Sequence, residues 1–222
     1  MIVEFKKKYF SKLSATFLLE HIKIAAALFL FFILISFFFL DKSFALYFQA
    51  VSSSIKEPFL LIEKLFCPIF WSLLAPTLFF FIRFVLKQEK KSRNFWFLSL
   101  ALPLPVFACK ILEVILGRAT PEWFFLHLEA PFRLFQWDPS FHSFPSMVSC
   151  TIAAFATALS CIIPKSRLYI LLGGLILSFS PVITTSSFLS EAIAGLFLGS
   201  VVVQWIYKKV KREMSLEKSF LR

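Results

Sequence analysis

The stretch 117–144 gathers two histidines, three carboxylates and two arginines: His127 and His142, Glu122, Glu129 and Asp138, Arg118 and Arg133. Groups of these types move protons, hold anions or orient a base, and histidine does so near neutral pH. Directly after His142 comes Ser143-Phe144-Pro145-Ser146. Proline in a first turn after a serine marks a helix start, whose free N–H groups favour an anion. Ser146 and His142 are thus candidates for holding a phosphate, with His127 as a second loop histidine. Lys110 and Glu113 stand three apart on one helix face and read as an ion pair that neutralises itself in a bundle. Glu191 falls in the first turn of a later helix, where the helix dipole favours a carboxylate.

The elements that must position these groups are membrane helices. Hydrophobic residues make up 59% of the 222, with 32 Phe, and charged residues only 17%. A mean hydropathy of +0.80 excludes a water-soluble globule, and the composition excludes disordered, collagenous and coiled-coil chains. Apolar runs predict spans at 24–40, 65–86, 95–116 and 145–164. Two more are predicted within 168–207, around a break at 184–187. The first run is too long for a signal-peptide core and lacks a cleavage pattern, so it reads as a retained span. Residues 41–64 read as a loop with a short amphipathic surface helix. The expectation is an all-α polytopic membrane protein: a basic N-terminus at 1–23, a six-span domain at 24–207 and a basic tail at 208–222. With both termini cytoplasmic, inner segments hold 17 of the 24 Lys and Arg. The net charge of +11 then reflects topology and attraction to anionic lipid, not nucleic acid. Cys67, Cys109, Cys150 and Cys161 lie in apolar runs and read as packing residues. No cofactor or metal site is indicated.

Three segments carry a family resemblance. They are Gly117-Arg118-Ala119-Thr120-Pro121, then Phe141 through Ser146 opening a span, and then the run from Ser180-Pro181 through Glu191 to Gly195. In order and spacing they resemble the membrane-bound type 2 phosphatidic acid phosphatase family over roughly 65–207. That family has six helices and three motifs on its outer face, KxxxxxxRP, PSGH and SRxxxxxHxxxD. The resemblance implies removal of phosphate from lipids such as phosphatidic acid, polyprenyl pyrophosphate or lipid A. In the family the third-motif histidine attacks phosphorus and the adjoining aspartate orients it. The PSGH histidine protonates the leaving oxygen, and the lysine, the arginines and the Ser-Gly backbone hold the phosphate.

Residue by residue, this chain has Glu113 at the lysine position and Thr120 at the motif arginine. Met147 and Val148 replace the glycine and histidine of PSGH. Ser180 is kept, Pro181 replaces arginine, Ser187 the nucleophilic histidine and Glu191 the aspartate. Moving the register to Lys110 and Arg118 does not help: an eight-residue step turns a helix by about 800°, some 80° off one face. Val148 has no proton to give, and Ser187 needs a base within reach to act as a nucleophile. The expectation is a relative without ordinary catalysis in a bacterial inner membrane. It would bind an anionic phospholipid through Arg118, His142, Ser146 and Ser180, or serve as a membrane partner of another protein. The alternative is an active lipid phosphatase with a rearranged site, in which His142 or His127 converges with Arg118 and Ser146. A second alternative is a small transporter using Lys110, Glu113 and Glu191. The aromatic residues Trp123, Phe124, Phe125, Phe132, Phe135 and Trp137 are expected to seat the loop in the headgroup layer.

Overall fold

The computed structural model describes residues 22–87 and 89–220, with side chains over 26–87 and 94–212. The basic segment expected at 1–23 therefore lies almost wholly outside the described residues. The longer elements are α1 (Ile22–Ile35), α2 (Asp41–Gln49), α3 (Ser53–Leu65), α4 (Pro68–Phe80), α5 (Glu89–Ala101) and α6 (Pro103–Leu116). They are followed by α7 (Pro121–His127), α8 (Met147–Ile162), α9 (Arg167–Leu177), α10 (Ser180–Ile183) and α11 (Leu189–Phe220). Wide π-turns at Ser36–Leu40 and Phe81–Val85 continue α1 into α2 and extend α4.

Five helical stretches are long and apolar enough to cross a membrane: Ala26–Gln49, Ser53–Val85, Asn94–Leu116, Pro164–Ile183 and Leu189–Arg212. The run expected at 145–164 forms α8, only 16 residues. At ~1.5 Å per residue it covers about 24 Å, short of a ~30 Å hydrocarbon core. Ten of its residues are buried, among them Ser149, Thr151, Thr157 and Ser160, so α8 is the central post of the bundle.

Residues 41–49 correct the sequence reading: where a loop was expected, the first helix runs on through its π-turn to Gln49. The short amphipathic helix expected in this stretch is α3, which has no buried residue and leads towards α4 across a short break. Asp41 looked like the charge that closes a span, yet it is 1% exposed because Arg118 meets it inside the bundle.

Close packing of α8 on α11 depends on Gly195 and Gly199. A Cβ at Gly195 would stand 2.3 Å from the Ser146 carbonyl oxygen, and one at Gly199 2.3 Å from that of Cys150. Lipid tails are as apolar as leucine, so van der Waals contact between small residues carries such an interface. Where α5, α8 and α11 meet, Phe97, Ala101, Ala154, Ala158, Val203 and Ile206 form an apolar core. Phe38, Phe39, Phe80, Phe84 and Phe107 remain exposed, as suits a perimeter facing lipid.

Candidate functional site

Gly117 caps α6 in the left-handed conformation, φ +51°, and a Cβ there would overlap the Arg133 carbonyl. The returning loop is tied to it by Arg133 N–H donating to Gly117 O at 2.7 Å and by a bridge between Arg118 and Phe132. This turn drives Arg118 inward, to 2% exposure.

Arg118 is closed off on every side. Its Nη2 meets Asp41 Oδ2 at 2.7 Å, and its Nη1 donates to Ser190 Oγ at 2.7 Å and lies 3.3 Å from Glu191 Oε1. Phe188, Phe37 and Phe132 surround the guanidinium, with ring centroids 4.3, 4.9 and 5.7 Å away. Glu191 is fixed in turn, because its Oε2 accepts from Ser143 Oγ at 2.6 Å and from Phe188 N–H at 2.7 Å. The latter bond reaches back to the N-cap of α11, half of a capping box. Two buried carboxylates thus flank one buried cation.

Beside this network runs a chain of serine hydroxyls. Ser187 Oγ donates to Ser146 Oγ at 3.0 Å, Ser146 and Ser149 are 3.2 Å apart, and Ser149 Oγ donates to Ser178 O at 2.7 Å. Each hydroxyl has one proton, so the chain runs from Ser187 through Ser146 and Ser149 to a carbonyl. A carbonyl is no base, and Ser187 is not activated as a nucleophile through this chain. Among the described residues, Ser180 Oγ is buried without a hydrogen-bond partner.

A second charged group is half open. Lys110 Nζ donates to Glu113 Oε2 and to His142 Nδ1, each at 3.0 Å, while His142 Nε2 donates to Gln136 O at 2.9 Å. An ammonium only donates, so Nδ1 serves as the acceptor here and Nε2 as the donor. Lys110 is 48% exposed and keeps its third N–H for an external acceptor. His127 stacks on Trp123 at 4.0 Å and bonds to its carbonyl. Among the described residues no hydrogen bond joins either histidine to Ser146 or Arg118, so the convergence expected of a rearranged site is not formed.

The other sequence candidates have local duties. Thr120 caps α7, its hydroxyl accepting from Trp123 N–H at 3.3 Å. Ser146 caps α8, which puts Met147 and Val148 in the first helical turn, and Pro181 opens α10. The headgroup-layer reading of the aromatic residues needs division: Phe135 and Trp137 are exposed, whereas Phe124 is 3% exposed because it packs on Phe188. Asp138, in the same loop, is held below the ordinary carboxylate range by the Ser140 N–H. Sequence reasoning missed Asp41, Ser149, Ser190 and Glu63, and read Ser143 only as part of a helix start. Glu63 accepts hydrogen bonds from Thr184 and Ser186 behind a cleft of about 440 Å³ lined by Thr120, Glu122, Phe125, Thr185 and Ser186. The isolated acids Asp41 and Glu63 gave a signal, but their partners lie 77 to 149 residues away.

The PAP2 superfamily model matches residues 94–215, more than half of the chain. This chain belongs to the PAP2 superfamily. Two lipid A 1-phosphatases are among its relatives. One, from Rhizobium johnstonii, is 31% identical over 40% of this chain and 37% of its own; the other, from Rhizobium etli, is 32% identical over 40% and 38%. The chain thus spans less than two-fifths of either relative. No solved structure matches it. The PAP2 match, with five membrane-length helices, makes the protein an integral membrane protein. It takes in Arg118, Ser146, Ser187 and Glu191, and leaves out Asp41 and Glu63.

Proposed function

We propose that this PAP2 protein recognises a phosphorylated membrane lipid at the end of the bundle that carries the 117–144 loop, and that it holds the lipid without hydrolysing it by the family mechanism. The observation that carries this reading is the serine chain. At the nucleophile position stands Ser187, whose proton passes only to other hydroxyls and a carbonyl. Arg118 is occupied by Asp41 and Glu191, whereas Lys110, with its neighbour His142, offers a donor to a headgroup, as does the exposed loop residue Arg133. Phosphate on Lys110 is a charge-assisted contact, partly offset by Glu113. The domain itself we take as six spans over 24–207, in a bacterial inner membrane, with both termini cytoplasmic and the loop outside. A membrane protein partner is the other role for a PAP2 bundle without turnover.

A second reading, an active lipid phosphatase, is favoured by the names of both relatives. It requires the Lys110–His142 group and Ser187 to meet once lipid is bound. A transporter gains nothing, because the carboxylates of Glu113 and Glu191 are both paired.

Purified protein in liposomes, offered phosphatidic acid, a polyprenyl pyrophosphate or lipid A, separates these readings. Saturable binding over phosphatidylcholine, weakened by Lys110→Ala and without phosphate release, is the expected result. Release abolished by Ser187→Ala and His142→Ala would establish the hydrolase instead. Neither binding nor release would overturn both.

A further inference from the structure

Three donors converge on one internal carboxylate. Arg118 Nη2, Ser190 N–H and Ser190 Oγ donate to Asp41 at 2.7, 2.8 and 2.5 Å. A guanidinium, a hydroxyl and an amide from the first turn of a 32-residue helix form a donor set suited to a phosphate. A further donor, Arg118 Nε, is buried without a hydrogen-bond partner among the described residues. Glu191 meets the other terminal nitrogen, Nη1, leaving Nη2 to the occupant.

The donors and the occupant come from different parts of the chain. Arg118 and Ser190 belong to the PAP2 segment, and Asp41 lies outside it. Asp41 arrives on a helix that is turned mostly outward, with 11% of its apolar window buried. Besides Asp41, this helix is held inward by Ser36 and Ala45, 3% and 6% exposed, by Phe37 against Arg118 and Phe132, and by Phe29, tilted 4.9 Å from Phe197. The π-turn at Ser36–Leu40 comes immediately before Asp41, and such bulges re-aim a side chain within a continuing helix.

We propose that Asp41 is an internal anion lodged in a phosphate-type site built by Arg118 and Ser190, and that the α1–α2 helix is a displaceable plug. While the plug is in, an outside phosphate meets a site already filled by a tethered carboxylate. Its apparent affinity falls by the fraction of time the site stands open. The proposal goes beyond lipid recognition at Lys110 and does not depend on it.

The test is thermal unfolding of the purified full chain in detergent, with inorganic phosphate against chloride at equal ionic strength. Asp41→Ala should be less stable than wild type, and phosphate should restore it with an apparent Kd at least ~10-fold below the wild-type value. Arg118→Met in the same background should remove that response. A folded Asp41→Ala protein that answers phosphate no better than chloride would overturn the proposal. If that variant does not fold, Asp41→Asn is measured in the same way. Failure of both to fold would show that Asp41 is simply a structural ion-pair partner, and would overturn it too. No lipid enters the experiment, so its failure leaves the lipid reading standing, and failed lipid binding by the wild type leaves this proposal standing.

Discussion

The Arg118 network and the Lys110 group are both built from a cation and carboxylates, but one is closed and the other open. Arg118, Asp41 and Glu191 are at most 2% exposed, and aromatic rings fill the space around the guanidinium. Lys110 is 48% exposed, with only its partner Glu113 buried. Breaking a buried pair strands an uncompensated charge, whereas an exposed cation is replaced cheaply by water. Similar residue types therefore serve cohesion in one place and leave a donor for a ligand in the other.

The sharpest way to break the contrast is Arg118→Met, which leaves two buried carboxylates without a cation. It should cost about 3–5 kcal/mol in reversible unfolding from detergent. Lys110→Met should cost less, about 1–3 kcal/mol, and all of it through stranded Glu113. Adding Glu113→Gln should recover most of that loss, and a double-mutant cycle without recovery would show that the two groups act alike. Ser143→Ala removes one of the bonds to Glu191 Oε2 and should cost about 1–2 kcal/mol. His142→Ala, which touches only the half-open group, should change stability by less than about 1 kcal/mol while weakening headgroup binding.

The smallest effect belongs to the loop between the two groups. Asp138 has a lowered folded-state pKa, so its contribution is present above the unfolded value of about 3.9 and is lost as pH falls through the folded one. Acidification should lower the protection of the Ser140 amide, its exchange measured relative to the intrinsic rate at each pH, and Asp138→Asn should remove that change in protection.

Much of the architecture was legible because lipid imposes it. A chain must satisfy its backbone within each span, so apolar runs of the right length become helices, and the break expected at 184–187 separates α10 from α11. The Lys110–Glu113 pair was legible as well, since a spacing of three on a helix is local geometry. Residues 41–49 were misread because charge and polar residues there imitate a loop, while Asp41 and Glu63 are partnered from distant parts of the chain. The motif positions could be assigned by order and spacing, but not what their occupants do: that Thr120 caps a helix and Ser187 joins a hydroxyl chain depends on where neighbours lie.

By itself the sequence determined a helical membrane protein with segments that resemble the PAP2 motifs in order and spacing. Those are properties of composition, period and spacing, which act over one helix turn or one bilayer thickness. Only the tertiary structure decided that Arg118 turns inward to Asp41, not outward to a headgroup, and that Lys110 keeps a free donor. Whether a charge is buried with a partner or left half in solvent is set by elements that meet from opposite ends of the chain. That difference in dielectric and pairing gives otherwise similar ion pairs different work.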